Sequence, residues 1–371
     1  MTFCIITHVV HSQSENGYFG YAPYVNEMNI WFKQVDKVII VAPLKQYEKS
    51  AIHEFYKHQN IEFVVVPEFS LISFSAVLKT IFSLPKLLYC IYLAMKKSHH
   101  IHLRCPGNMG LLGSIVQILF PNKKKTAKYA GNWDAKSSQP TSYKLQKYIL
   151  SNTFLSKNMK VLVYGEWKNQ SKNIVPFFTA TYAENEKKSM LPLDFTGVIK
   201  FLFVGSLVAG KNPLYAIKIV DELKNRNYNV QLSLYGEGTE KKILENYILQ
   251  NTLSDFIFLR GNRDKEYLKN RYSESHFLLL PSKSEGWPKV VAEAMFWCCL
   301  PVATPISCVP TMLDYGKRGI LISEDFETTV LELEKLLKNH SLYVHKTKEA
   351  LLWSRQYTLD QFEIEIKKLL E

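Results

Sequence analysis

Cysteine is scarce in this sequence and follows no recognisable pattern. The 371 residues include six cysteines, with no C-x-x-C pair and no combination of His and Cys at zinc-binding spacing. These absences exclude a disulfide scaffold and a small structural zinc module. Scattered thiols of this kind are typical of proteins that fold in a reducing compartment.

The sequence also shows no signal-peptide pattern in its first residues, no long uninterrupted apolar segment and none of several familiar catalytic patterns. The first ten residues have neither a charged start nor a cleavage site and are typical of a buried strand. The most apolar segment, residues 69–95, contains Lys79, Pro85 and Lys86. This predicts two helices packed on a sheet, with a helix lying on a membrane surface as the alternative. No D-x-D motif, metal-ligand set or obvious nucleophile is present.

Positive charge is in excess, and all of the excess lies in the first half. Residues 1–190 contain 23 Lys and Arg against 11 Asp and Glu, whereas residues 191–371 contain 23 of each. The asymmetry favours an anionic partner for the first half, although a basic surface that aids solubility is the alternative. The cluster predicted to contact an anionic membrane surface, or else to be a solvated turn, consists of Lys123, Lys124, Lys125 and Lys128.

Short β-branched runs alternate with helix-length segments, which predicts parallel sheets built from β-α-β units. The predicted strands are 3–7, 37–42, 61–66, 100–103, 126–130, 160–164, 200–205, 230–235, 256–259, 276–280, 300–303 and 319–322. Two such series predict an α/β protein with two doubly wound, Rossmann-like domains. We expect an N-terminal domain over residues 1–190, a C-terminal domain over residues 191–354 and a final helix within residues 355–371.

The most informative segment is residues 281–293, with the sequence PSKSEGWPKVVAE. Pro288 suits the first turn of a helix, and it lies between Glu285 and Glu293. A helix N-terminus offers N–H groups and a positive dipole end to a phosphate. Because the two carboxylates are suited to binding sugar hydroxyls, the segment predicts a ligand that is part phosphate and part sugar.

Three other predicted strands end in loops that contain glycine. The loop after the strand at 200–205 contains Gly205, Gly210 and Lys211, and the lysine could neutralise a diphosphate. The sequences LYGEG at 234–238 and LRGNR at 259–263 also follow strands. Open α/β sheets bind ligands at this end of their strands. Taken singly, each segment is also consistent with an ordinary loop, and the glycine spacing is not the dinucleotide fingerprint.

Two segments of the first half are predicted to lie on the acceptor side of the site, where a second substrate would bind. Residues 11–21 (HSQSENGYFGY) predict a polar, flexible loop facing the cleft between domains, either functional or simply mobile. Residues 101–110 predict a strand followed by a turn, with His102 more consistent with the core and Arg104 as a partner for an acceptor phosphate or carboxylate. The acceptor-side candidates are Gly17, Tyr18, Gly20 and Arg104.

Together these segments resemble the retaining glycosyltransferase family 4, which has the GT-B fold. The most specific element is E-x7-E, here Glu285 and Glu293. The family's glycine-rich turn with a basic residue is matched by 205–211, and its G-x-G turn by 236–238. The resemblance covers the C-terminal half in motif order and the N-terminal half in pattern only. Ser206 departs from it, because the family commonly has Arg there.

The resemblance implies two Rossmann-like domains facing a central cleft, with a C-terminal helix that crosses back to the N-domain. It implies that Glu285 contacts the donor sugar, Lys211 stabilises the leaving diphosphate and Glu293 binds the ribose. The other residues implied to bind the donor are Gly205, Ser206, Gly210, Gly236, Gly238, Arg260, Asn262, Gly286, Trp287, Lys289 and Val290. The charge missing at Ser206 would come from elsewhere, with Lys283 or Lys289 as candidates.

The activity implied by the resemblance is a glycosyltransferase of the hexosyltransferase type that retains anomeric configuration. It would move a sugar from a UDP- or GDP-linked donor to a saccharide acceptor, with no cofactor and no metal. The basic first half favours a lipid-linked acceptor in surface polysaccharide or lipopolysaccharide assembly, and a cytoplasmic protein peripheral to the inner face of the membrane. The alternatives are a GT-B-fold sugar-nucleotide epimerase or phosphorylase, and a basic nucleic-acid-binding protein, although no nucleic-acid motif is present.

Overall fold

The computed structural model describes residues 1–50, 52–67, 74–134, 137, 139–323 and 325–371, with the backbone alone for residues 74–82. Contacts within the chain divide it into two compact units, Met1–Phe177 with Glu363–Glu371, and Phe178–Phe362. The chain passes from the first unit to the second between Phe177 and Phe178, which is earlier than the boundary at residue 190 that the sequence predicts.

The first unit is built around a seven-stranded parallel sheet. Its elements are β1 (Thr2–Ile6), β2 (His11–Ser14), β3 (Gly17–Tyr21), α1 (Ala22–Phe32), β4 (Lys37–Ala42), β5 (His53–Phe55), β6 (Ile61–Val65), α2 (Phe74–Lys97), β7 (His100–Cys105), α3 (Asn108–Val116), β8 (Lys124–Tyr129), α4 (Thr141–Ser151), β9 (Met159–Tyr164) and β10 (Ile174–Phe177). The strand order is β10-β9-β8-β7-β1-β4-β6. The order reverses between β1 and β7, as in doubly wound folds.

The second unit contains a six-stranded parallel sheet. Its elements are β11 (Ile199–Val204), α5 (Pro213–Asn225), β12 (Val230–Tyr235), α6 (Lys241–Gln250), β13 (Ile257–Leu259), α7 (Lys265–Ser273), β14 (Phe277–Leu280), α8 (Lys289–Phe296), β15 (Leu300–Ala303), α9 (Val309–Met312), β16 (Ile320–Leu321), α10 (Phe326–Lys338) and α11 (His340–Ser354). The final helix, α12 (Leu359–Leu370), begins in this unit and belongs to the first unit from Glu363 onward. The strand order is β13-β12-β11-β14-β15-β16, which reverses between β11 and β14.

The prediction of two doubly wound α/β units is confirmed. Every predicted strand is present, with its ends within two residues of the predicted ones. Central strands such as β1, β4 and β14 are almost entirely buried apolar runs, as expected for parallel strands covered on both faces. The predicted C-terminal helix is α12, whose last residues, from Glu363 onward, belong to the first unit.

The segment predicted as a flexible loop after β1 is instead an ordered hairpin. β2 pairs with β3 in an antiparallel register that joins Ser14 to Gly17, and β3 pairs with β5. Phe19 is buried and contacts the rings of Tyr47 and Phe55, which attaches the hairpin to the unit. The sequence contained the signal, because Asn16-Gly17 is a dipeptide that favours tight hairpin turns.

The helix break predicted at Pro85 does not occur. Pro85 lies inside α2, which continues to Lys97. Its second half buries Leu87, Ile91 and Met95 in the core of the unit, and this apolar burial offsets the hydrogen bond that proline removes. The predicted start of the segment, residues 69–73, lies outside the described residues. Within the part of the chain that the structure describes, no helix is both long and apolar enough to cross a membrane.

The predicted membrane contact is wrong for Lys125 and Lys128, because both side chains are buried. For Lys123 and Lys124 it stays a prediction. Lys125 and Lys128 lie on the central strand β8 and are 2% and 1% exposed. The Lys128 ammonium lies 4.5 Å from the ring centroids of both Tyr164 and Phe177. Lys123 donates to the carbonyls of Met95 and Lys96 at the end of α2, at 2.6 and 2.7 Å. Lys124 alone is exposed, and it donates to the main-chain carbonyl of Glu371.

Buried histidines should make the first unit sensitive to acid. Burial lowers the pKa of His11 to about 4 and that of His100 to about 3, and lowers that of His102 well below its usual 6.5. The unfolded chain therefore binds more protons below about pH 6.5, so the free energy of unfolding falls as the pH decreases towards the folded-state values. We expect a loss of about 2 kcal/mol per histidine between about pH 6.5 and pH 5.

The measurement is the midpoint of thermal unfolding as a function of pH for the wild type and His100→Gln. The glutamine can still bond to Thr126, which His100 contacts at 2.8 Å, but it does not titrate. The variant should lose less stability on acidification than the wild type. Replacing the exposed His345 should leave the acid loss unchanged. Equal acid losses in the wild type and His100→Gln would show that His100 does not contribute.

Candidate functional site

The glycine-containing loops of the second unit meet at the carboxyl end of its sheet. β11, β12, β13 and β14 are consecutive parallel neighbours, so the loops that follow them emerge along one edge. Backbone hydrogen bonds join the loops: Gly205 N–H donates to the Tyr235 carbonyl at 3.0 Å, and Gly236 N–H donates to the Gly261 carbonyl at 3.1 Å. The predicted donor-side segments are therefore neighbours in the folded unit.

Two glycines permit the closest approach between these loops. A Cβ atom at Gly236 would lie 1.9 Å from the Gly205 carbonyl oxygen, and one at Gly238 would lie 2.3 Å from the Leu207 carbonyl oxygen. Gly236 also has φ of +153°, which side chains rarely adopt. Gly210, by contrast, has open space where a Cβ would be. The G-x-G turn after β12 thus brings two strand ends together.

Lys211 and Glu285 form an ion pair across this edge of the sheet. Lys211 follows β11 and Glu285 follows the adjacent β14, and the Lys211 Nζ contacts Glu285 Oε1. The Glu285 side chain is 9% exposed and that of Lys211 is 30% exposed. A backbone bond from Lys283 N–H to the Gly210 carbonyl, at 2.8 Å, also joins the two loops. The two predicted catalytic residues are therefore held in contact.

Helix α8 begins directly after the loop that contains Glu285. Pro288 is its N-cap residue and not its first residue, so the helix begins one position later than predicted, and its apolar face buries Val291, Ala294 and Met295. The Gly286 carbonyl accepts hydrogen bonds from Ser307 Oγ at 3.0 Å and Cys308 Sγ at 3.1 Å. The loop is thus anchored, and the first-turn N–H groups at Lys289 and Val290 have no carbonyl partner within the helix.

Glu293 lies on the second turn of α8 and accepts two hydrogen bonds. Thr181 Oγ1 donates to Oε1 at 2.7 Å, and the Tyr272 hydroxyl donates to Oε2 at 3.2 Å. Thr181 and Glu293 also border a cavity of about 10 Å³, which is room for about one water molecule and is too small for a ribose. The Glu293 side chain is half-exposed.

Sequence reasoning did not identify Thr181 or Tyr272. They lie 112 and 21 residues from Glu293 along the chain, and neither belongs to a motif with fixed spacing. Burial and the nearby charge of Glu293 raise the pKa of Tyr272 well above its usual 10. Tyr272 is therefore neutral over the ordinary pH range and acts as a hydrogen-bond donor.

The remaining predicted donor-side residues surround the same strand ends. Arg260 and Asn262 follow β13 and are exposed, with the Arg260 guanidinium 4.4 Å from the centroid of the Phe258 ring. Ser206 is exposed directly after Gly205. Trp287 is half-buried and packs against Trp353, with centroids 6.3 Å apart. These placements are compatible with the predicted roles, which stay predictions.

The acceptor-side candidates all belong to the first unit. Gly17, Tyr18 and Gly20 lie on β3, and the Tyr18 ring stacks on Phe63 with centroids 4.7 Å apart. Arg104 was expected to pair with a phosphate or carboxylate of the acceptor, but its guanidinium contacts the Glu27 carboxylate at 2.5 Å. The anion beside Arg104 is therefore a residue of the same unit. The acceptor roles stay predictions.

Comparison with known proteins identifies the second unit. Residues 187–352 match the family model Glycosyl transferases group 1. The chain carries a glycosyl transferases group 1 domain. This domain contains Lys211, Glu285 and Glu293, and its boundaries enclose β11–β16.

Three similar proteins extend the comparison to the whole chain. Protein CapJ of Staphylococcus aureus is 24% identical over 358 residues, covering 90% of this chain and 86% of that protein. The structure of Anabaena HepE in complex with UDP and glucose has a TM-score of 0.70 at 13% identity, covering 100% of this chain and 99% of that one. WaaG, a glycosyltransferase involved in lipopolysaccharide biosynthesis, has a TM-score of 0.64 at 12% identity, covering 100% and 99%. The group 1 domain is therefore part of a GT-B fold.

Proposed function

We propose that this protein is a retaining glycosyltransferase that moves a sugar from a UDP-sugar to a saccharide acceptor. The observation that carries the proposal is the ion pair of Lys211 with Glu285 beside the N-terminus of α8, in a group 1 domain. A cation and a helix N-terminus suit a diphosphate, and a neighbouring carboxylate suits sugar hydroxyls. UDP is preferred to GDP because HepE, a structural neighbour, is known in complex with UDP and glucose.

Each group at the edge of the sheet has a distinct role in the proposed reaction. Lys211 and the α8 N–H groups stabilise the charge that develops on the departing diphosphate. Glu285, held by Lys211, binds hydroxyls of the transferred sugar. Glu293 binds the ribose, and the glycine turns let the loop backbones approach the nucleotide. Of these roles, charge stabilisation by Lys211 has the largest expected effect on rate.

The proposed chemistry uses no catalytic nucleophile from the protein. The acceptor hydroxyl attacks the anomeric carbon on the face from which the diphosphate departs, which retains configuration. The C–O bond to the diphosphate breaks as the new C–O bond forms, and the leaving phosphate oxygen takes the acceptor's proton. We expect this reaction to need no added metal, because Lys211 and the helix N-terminus meet the developing charge.

The acceptor is proposed to be lipid-linked and to belong to surface polysaccharide or lipopolysaccharide assembly. Support comes from the similarity to WaaG and from the net charge of +12, which lies in the first half of the chain. The support from charge is smaller than the sequence suggests, because Lys125 and Lys128 are interior. A peripheral cytoplasmic position at the membrane is part of the same proposal.

Replacing Glu293 tests the proposed donor site. Glu293→Ala should lower the affinity for UDP about 10- to 100-fold, because a carboxylate that accepts ribose hydroxyl bonds contributes about 1.5–3 kcal/mol. Isothermal titration calorimetry measures the affinity, with the exposed Glu349→Ala as the matched control. If Glu293→Ala binds UDP as tightly as the control, the ribose role is refuted.

A further inference from the structure

Glu293 is held by two hydroxyl groups from separate segments of the second unit. Thr181 belongs to the irregular segment that precedes β11, and Tyr272 lies on α7, whereas Glu293 lies on α8. Each donor bonds to a different carboxylate oxygen, at 2.7 Å and 3.2 Å. Rotation of the carboxylate about its terminal bond would stretch both hydrogen bonds. The two donors therefore fix the orientation of the carboxylate plane.

Both donors are themselves held in position. Tyr272 is fully buried, so its hydroxyl cannot follow a moving carboxylate into solvent. Thr181 is fixed through its neighbour Tyr182, whose ring packs 5.0 Å from Phe296 and whose carbonyl accepts from Leu359 N–H at 2.9 Å. The orientation of Glu293 is thus determined by packing outside the helix on which it lies.

A carboxylate has about four lone-pair sites, and the two hydroxyl groups use two of them. The other two remain available for hydroxyl donors on the solvent side. We propose that Thr181 and Tyr272 are positioning residues that orient Glu293 to accept hydrogen bonds from the two ribose hydroxyls of the donor nucleotide. This inference rests on the proposed function, in which Glu293 binds ribose.

The test compares the affinities for UDP and for 2′,3′-dideoxy-UDP, which lacks the ribose hydroxyls. The wild type should bind UDP about 10- to 100-fold more tightly. Tyr272→Phe and Thr181→Val should each reduce that ratio about three- to tenfold, by weakening UDP binding while dideoxy-UDP affinity stays the same. Thr181→Ser, which keeps the hydroxyl, should restore the ratio. Tyr343→Phe removes a buried hydroxyl elsewhere in the unit and is the matched control.

The outcomes separate this inference from the function on which it rests. Unchanged ratios in folded Tyr272→Phe and Thr181→Val would overturn the positioning role and leave nucleotide binding standing. Equal weakening of both nucleotides would also overturn it, because general damage to the site does not depend on the ribose hydroxyls. A wild type that binds UDP no more tightly than dideoxy-UDP, or not at all, would overturn both proposals. Melting temperatures establish that each variant is folded.

Discussion

Replacing Lys211 with alanine should lower kcat about 10²- to 10³-fold, with a smaller change in KM. Lys211 contacts Glu285, so its charge lies beside the edge of the sheet where the diphosphate is proposed to depart. Its interaction strengthens as negative charge develops on the leaving group, and such an interaction acts on the chemical step. Release of UDP from a UDP-sugar in the presence of acceptor measures kcat.

The matched control for this prediction is Lys242→Ala, which removes an exposed lysine from α6. It should leave both kcat and KM unchanged. Lys283 and Lys289 are the candidates to supply the positive charge that is missing at Ser206. The kcat values of Lys283→Ala and Lys289→Ala therefore measure how much each lysine contributes to stabilising the diphosphate. If Lys211→Ala retains the kcat of the control, the diphosphate charge is stabilised by other groups and the proposed role of Lys211 fails.

Replacing Gly236 with alanine should destabilise the second unit by about 3 kcal/mol. The added Cβ would lie 1.9 Å from the backbone oxygen of Gly205, and the residue would keep a φ that side chains rarely adopt. Because both sides of the contact are backbone at the ends of paired strands, relief requires β11 and β12 to separate. For a unit of this size, the midpoint of thermal unfolding should fall by roughly 6–12 °C.

Gly210 provides a matched control from the same edge of the sheet, since a Cβ there meets no atom within 4 Å. Gly210→Ala should unfold within about 1 °C of the wild type. Gly205→Ala separates backbone strain from steric overlap, because it has φ of +156° and no neighbour closer than 3.9 Å. Its loss should be about 1 kcal/mol. Equal midpoints for Gly236→Ala and Gly210→Ala would contradict the close approach of the two loops.

The sheets could be predicted from the sequence because parallel central strands are buried on both faces. Such strands are short apolar runs, as in Phe277–Leu280, and glycine or proline marks the loops after them. The placement of Lys211 and Glu285 at the ligand-binding edge of a parallel sheet could also be predicted, because each residue lies in a loop that follows a predicted strand. These inferences depend on local patterns repeated along the chain, which a single sequence contains.

The remaining features depend on contacts between distant residues. The charge of Lys128 predicts a position on the surface. Its ammonium instead lies between the rings of Tyr164 and Phe177 in the interior. Arg104 is matched by Glu27, 77 residues earlier in the chain. Thr181 and Tyr272 meet Glu293 through packing of three segments. Hydrophobic periodicity does not encode such pairings, so the surface positions predicted for Lys125 and Lys128 were wrong, and Thr181 and Tyr272 were not identified.

The most direct test of the central claim is the thermal stability of the purified protein with UDP-, GDP- and ADP-sugars in the presence of a chelator. A ligand that binds only the folded protein raises the unfolding midpoint, by an amount that grows with the ratio of its concentration to its Kd. We predict that UDP-sugars raise the midpoint by several degrees without added metal, and that Glu293→Ala abolishes most of this shift. An unchanged midpoint with every nucleotide sugar, with or without metal, would contradict the assignment of a nucleotide-sugar donor site.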